Sequence, residues 1–162
     1  MNVRKAKKSD VPSLIRLLKQ VLELHAKLRP DIFISGTTKY TREELEEILE
    51  NFQTPVFVAT EENDGNSGGG EVKGYMFCKL LRQPFSTNMR DFTTLFIDDL
   101  CVDESCRGKR VGQALYNFAL QFAKEQGCYN VTLNVWEGND GARAFYEKMG
   151  MRVQETRMEK IL

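Results

Sequence analysis

Arg107-Gly108-Lys109-Arg110-Val111-Gly112 decides the reading of this chain, because its charge is wrong for the helix it opens. From Val111 the apolar residues recur at Val111, Ala114, Leu115, Phe118, Ala119, Phe122 and Ala123, the spacing of a helix with one apolar face. A helix N-terminus carries unsatisfied N–H groups and partial positive charge, so it favours acidic residues nearby. Here three cations and two glycines stand instead. The arrangement is explained if the negative charge arrives on a ligand. Glycines let a phosphate approach the bare backbone, and the N–H groups of the helix start point at it. Arg107, Lys109 and Arg110 neutralise what remains. A solvated basic loop ahead of a helix is the plain alternative.

Upstream, Leu95-Phe96-Ile97-Asp98-Asp99-Leu100-Cys101-Val102 reads as a buried strand with two acids in its middle. Downstream, the helix ends near Gln126-Gly127, and Val131-Thr132-Leu133-Asn134-Val135-Trp136 alternates as a second strand. Asn139 and Asp140 then offer caps for a short helix with Ala142, Phe145, Tyr146 and Met149 on one face, stopping at Gly150.

Leu100-x-Val102, Arg107-Gly108-x-x-x-Gly112, Asn139 and Phe145-Tyr146-x-x-x-Gly150 follow one another in the order and at the spacing in which this chain resembles the GNAT superfamily of acetyl-CoA-dependent N-acetyltransferases. The resemblance covers roughly Phe96 to Met151, and the first half only by element order. The family's phosphate loop usually reads Arg/Gln-x-x-Gly-x-Gly/Ala. Arg110 stands at the middle glycine, an exchange that a helical rather than left-handed backbone accommodates.

Length and composition agree. A chain of 162 residues suits one α/β domain, taken as a single unit over 1–162. Lys+Arg and Asp+Glu are 23 each, without the basic surplus of a general nucleic-acid binder. No apolar run reaches transmembrane length, and Met1-Asn2-Val3-Arg4-Lys5-Ala6 lacks a signal-peptide core. Cys78, Cys101, Cys106 and Cys128 form no CxxC pair, which favours core thiols in a reducing compartment over disulfides. With His25 the single histidine, a histidine-rich zinc site is disfavoured; no metal is expected, and the place of action is the cytoplasm.

The first half supplies the frame. Met1 to Ala6 is an edge strand, and Ser9-Asp10 caps a helix with Pro12 in its first turn and a stripe at Leu14, Ile15, Leu18, Val21 and Leu22. Thr41-x-x-Glu44 is a capping box before a helix from about Arg42. Val56–Ala59 and Val72–Cys78 read as a hairpin joined by a flexible loop near 62–70. A final strand spans Val153 to Leu162.

The resemblance implies an α/β (α+β by some schemes) acyl-CoA N-acyltransferase fold. Its mixed central sheet has splayed parallel strands and helices on both faces. Acetyl-CoA is the implied cosubstrate. Its pantetheine lies along Leu100, Cys101 and Val102, its pyrophosphate on the amides from Arg107 to Gln113, and Asn139 and Tyr146 touch it. A backbone N–H at Cys101 or Val102 would meet the developing oxyanion, and Tyr146 would protonate the departing thiolate. Asn139 as a mere cap and Tyr146 as mere packing are the structural alternatives.

A carboxylate inside an apolar strand is costly unless it meets a cation or faces solvent. Adjacent strand residues point to opposite faces, so Asp98 and Asp99 are expected to part. Asp98 is read as ammonium anchor and proton acceptor, with Asp99 beside it in the acceptor site. The pair resembles the Glu-Asp pair of polyamine acetyltransferases. Ribosomal-protein N-terminal acetyltransferases place a glutamate where Asn134 stands, and Glu137 is a fallback carboxylate. His25, in the region lining the acceptor site, reads as a packing residue before a base.

The leading function is therefore transfer of acetyl to a small cationic, polyamine-like primary amine. A protein N-terminal or lysine acetyltransferase and a non-catalytic acyl-CoA-binding protein are the alternatives. No nucleic-acid or membrane partner is expected, and a homodimer stays open.

Overall fold

The computed structural model describes residues 1–61, 70–82 and 87–162. A mixed sheet of five strands runs in the order β1-β2-β3-β4-β5: β1 (Asn2–Lys5), β2 (Val56–Glu61), β3 (Glu71–Arg82), β4 (Thr93–Val102) and β5 (Asn130–Leu133). The first three junctions are antiparallel and the last is parallel. Helices α1 (Val11–Leu28) and α2 (Arg42–Glu50) cover one face; α3 (Val111–Glu125) and α4 (Asp140–Lys148) lie with the other. This is the expected mixed sheet with helices on both sides.

The two faces are legible along β2. Val56 and Val58 join the core under α1 and α2, with Leu14, Leu17, Leu18 and Leu45. Phe57 and Ala59 join the core under α3, with Leu95, Val111, Leu115 and Ala119. A strand covered on both faces loses its polar alternation, so β2 reads as an apolar run. Each fully buried leucine contributes roughly 1.5–3 kcal/mol of transfer free energy. Gly74 sets how closely α3 docks. A Cβ there would stand 2.9 Å from the backbone oxygen of Cys101 and 3.1 Å from Val111 Cγ1.

Local signals act where they were read. Thr41 accepts from the Glu44 amide at 3.2 Å while Glu44 accepts from the Thr41 amide at 2.8 Å, a closed capping box. Pro12 sits in the first turn of α1. Asp10 caps it only by position, since its carboxylate goes to Arg4 and the Lys7 amide. The four cysteines are free thiols. Residues 62–69 of the expected flexible loop lie outside the described residues.

Two strand expectations are corrected. The strand expected over Val131–Trp136 is Asn130–Leu133, because its partner β4 runs beside it only through Ile97, opposite Leu133. Past that point the alternating residues have no neighbouring backbone to pair with, and a strand without a partner does not hold. The final strand over Val153–Leu162 is not formed. Charged residues interleave its apolar ones, Val153, Met158 and Ile161 stay exposed, and Glu159 pairs instead with Arg29.

Candidate active site

The parting of β4 from β5 makes the site. β4 continues for Asp98–Val102 with β3 on one side and no β5 partner on the other. Its open edge therefore presents backbone groups at Leu100, Cys101 and Val102 that an extended ligand can pair with.

Beyond Val102 the chain enters the cationic loop through a braced corner. Asp103 accepts from the amide and hydroxyl of Ser105 at 3.0 and 2.7 Å and forms an ion pair with Arg16 of α1. The Arg16 and Ser105 hydrogen bonds hold its carboxyl down to about 2. Arg107, Gly108, Lys109 and Arg110 are exposed. The α3 N-terminus has no side-chain cap and no acid in its first turn, so the first N–H groups and the positive end of the helix face outward together. Gly112 is packed so that a Cβ would lie 3.4 Å from the Phe145 ring. These residues fit a pyrophosphate.

Arg110 corrects the helical expectation at the family's glycine position. Its φ is +63°, the left-handed region, and no other non-glycine among the described residues has a positive φ. An L-residue pays about 1–2 kcal/mol there, so the guanidinium is kept against a local conformational cost.

The acids lie deeper. The β3–β4 register shifts between Phe77 and Cys78, pairing Phe77 with Asp99 and Cys78 with Ile97, so Asp98 is the extra residue of a bulge. The bulge cancels the expected alternation. Lys39 bonds Asp98 at 2.7 Å and also lies within the field of Asp99. Lys79 bonds the other oxygen of Asp98 at 2.8 Å. Burial works to raise the Asp98 pKa, but the two lysines outweigh it and hold the carboxyl below its usual range.

Asp99 behaves oppositely. It keeps some surface in the cleft although protein surrounds its carboxyl almost completely. Burial pushes its pKa up against the opposing pull of Lys39, the Tyr75 hydroxyl and His25. Tyr75 Oη donates to it at 2.9 Å. Tyr146 is near enough that the Asp99 charge adds to burial in raising the phenol well above its ordinary value, so it remains protonated at neutral pH. Its ring packs against Phe145 and Tyr116 at 5.0 and 6.2 Å. Asn139 accepts from the Ala142 amide at 3.3 Å, capping α4.

The loop 29–41 between α1 and α2 reaches Asp98 through Lys39 and the segment after β5 through Phe33. Phe33 packs tilted against His25 at 5.2 Å and meets Trp136 edge-on at 5.6 Å; Arg29 lies over the same indole. His25 feels burial first, which lowers its pKa, and the Asp99 charge second, which raises it. Asn134 and Glu137 are exposed beyond β5. Lys39, Lys79, Tyr75, Arg16 and Asp103 were not foreseen as site residues. Only Asp103 carried a local signal, an Asp two residues before a Ser at a turn.

The profile of the acetyltransferase (GNAT) family matches residues 18–151. The chain belongs to this family. A crystallised tetramutant of a Bacillus halodurans protein superposes with a TM-score of 0.91 at 30% identity over 100% of both chains. The N-acetyltransferase YhfO of Bacillus subtilis, itself uncharacterised, is 31% identical over 93% of this chain and 89% of its own length. The glucosamine 6-phosphate N-acetyltransferase of Arabidopsis thaliana is 38% identical over 64 residues, 40% of this chain and 41% of the relative. That match spans about two fifths of the relative's length. The mixed sheet with its parting strands and helices on both faces is thus that of a GNAT domain.

Proposed function

We propose that this GNAT protein moves an acetyl group from acetyl-CoA to a small cationic primary amine, polyamine-like in type, by direct attack in a ternary complex. The observation that carries the reading is the pairing, at the open end of β4, of a buried carboxyl with raised proton affinity, Asp99, and a protonated phenol, Tyr146.

Leu100, Cys101 and Val102, with Arg107, Gly108, Lys109, Arg110, Val111, Gly112 and Gln113, hold the cosubstrate, and Asn139 and Tyr146 line its arm. Bound acetyl-CoA supplies a thioester carbonyl as electrophile. An alkylammonium has a pKa of about 10, so the acceptor must lose a proton before its nitrogen can attack. Asp99 takes that proton directly or through water. Backbone N–H groups at Cys101 or Val102 donate to the carbonyl oxygen as negative charge develops. Tyr146 gives its proton to the leaving sulfur. Asp98, already neutralised by two lysines, anchors the acceptor's charge; this reading moves the proton-accepting role from Asp98 to its neighbour. Residues 1–162 act as one N-acetyltransferase domain on a small molecule in the cytoplasm.

A thiol-release screen with acetyl-CoA tests the proposal against polyamines, aminoglycosides, lysine peptides and N-terminal peptides. Turnover is expected with the polyamines. Preference for peptides would assign the protein-directed alternative, and silence with every acceptor despite acetyl-CoA binding would assign the non-catalytic one.

A further inference from the structure

Asp98 already holds an ammonium group. Lys39 Nζ sits 2.7 Å from its Oδ2 and lies 5.3 Å from the Tyr40 ring centroid, so the cation has a carboxylate on one side and an aromatic face on another. Tyr40 in turn packs on Phe77, which stands opposite Asp99 in the ladder. This is the chemistry by which a primary alkylammonium would be recognised, assembled around the chain's own lysine.

The two lysines on Asp98 are not equivalent. Lys79 belongs to β3, and its backbone is held in the sheet opposite Phe96 of β4. Lys39 belongs to the loop 29–41, which has no regular secondary structure. That loop is tied at its middle by Glu23, which accepts from Ser35 Oγ at 2.6 Å and the Gly36 amide at 2.7 Å. Next to Lys39, the hydroxyl oxygen of Thr38 is buried with no hydrogen-bond partner among the described residues, a cost to the arrangement in which Lys39 sits on Asp98.

Resting on the acetyltransferase reading above, we infer that Lys39 is a specificity-determining gate: its ammonium fills the acceptor's cation position until a primary alkylamine displaces it. An alkylammonium replaces Lys39 on Asp98 and Tyr40 charge for charge, so the electrostatic balance of the cleft is kept. A neutral acceptor leaves the lysine in place. The Lys39 side chain keeps 40% of its surface accessible against 14% for Asp98, so its ammonium can leave to water and the gate discriminates by competition.

Steady-state acetylation by wild type, Lys39→Gln and Lys39→Arg tests this with two acceptors, pentane-1,5-diamine and a neutral arylamine. Lys39→Gln should lower the KM for the diamine by roughly 2- to 5-fold, the scale of one partly exposed ion pair, with the arylamine KM unchanged. Lys39→Arg, which keeps the cation, should behave as wild type. An unchanged or raised diamine KM in Lys39→Gln overturns the gate. A readout on the wild-type protein needs neither turnover nor a folded variant. Acylation of Lys39 by an N-hydroxysuccinimide ester, scored by peptide mass spectrometry relative to exposed Lys124 in the same sample because the diamine itself consumes reagent, should rise when the diamine is added and stay constant when the arylamine is added. Protection or indifference at Lys39 contradicts the gate. Faster labelling in a protein that turns over no acceptor would instead keep the gate and overturn the acetyltransferase reading.

Discussion

The phenol of Tyr75 donates a 2.9 Å hydrogen bond to Oδ2 of Asp99, linking a fully buried residue of β3 to the carboxylate at the opening of the sheet. That bond favours the ionised acid, whereas burial favours the protonated one and wins. The relationship fixes the direction of the first prediction. In Tyr75→Phe the Asp99 pKa rises further, so the acid limb of the kcat/KM profile should move to higher pH. A pH–rate series on the variant checks it; a limb that stays in place separates Asp99 from the proton step.

Asp99→Asn should stabilise the protein while removing activity. A carboxyl whose folded pKa is raised binds protons more readily in the folded than the unfolded chain, so its charge destabilises the fold as pH climbs through that window. Asparagine still accepts from Tyr75 and carries no charge. The thermal midpoint at neutral pH should rise. At pH 3, where wild-type Asp99 is protonated, the difference should vanish.

The Arg16–Asp103 pair has the opposite sign. Its folded pKa, about 2, lies below the unfolded value of an aspartate, about 3.9. The stability it adds is present above pH 4 and is lost as pH falls toward 2. Wild type should therefore lose thermal stability across that window more steeply than Asp103→Asn, followed by circular dichroism.

Arg110→Gly separates conformation from charge at the phosphate loop. Glycine adopts φ near +63° without the Cβ penalty, which outweighs its extra unfolded-chain entropy of roughly 0.5–1 kcal/mol. The free protein should melt slightly higher. The midpoint shift on adding acetyl-CoA should shrink, because one of the cations facing the α3 N-terminus is gone. Reversing charge at Arg107 and Lys109 together should abolish that shift.

Much of the fold was legible because its signals are local. The capping box at Thr41 and Glu44, the apolar run of β2 and the α3 stripe are each set by residues within a few positions of one another. The same holds for the cationic helix start, which the sequence displays whole. The acids were legible as an anomaly, but their facing was not. A bulge is decided by the register between β3 and β4, and no feature of β4 alone announces it. Lys39 lies 59 positions from Asp98, and Tyr75 lies 24 from Asp99, so their roles arise only from packing. The end of β5 and the unformed last strand failed for one reason: alternation describes a strand's faces but not whether an edge is there to receive it.

The central claim, acetyl transfer at the open end of β4 with Tyr146 as the acid, is tested most directly by Tyr146→Phe. The ring keeps its contacts with Phe145 and Tyr116, so the thermal midpoint and acetyl-CoA binding should match wild type. Single-turnover thiol release with a primary amine acceptor should fall roughly 10²-fold, the scale of a lost positioned acid. A variant that is folded, binds acetyl-CoA and turns over at the wild-type rate would contradict the account.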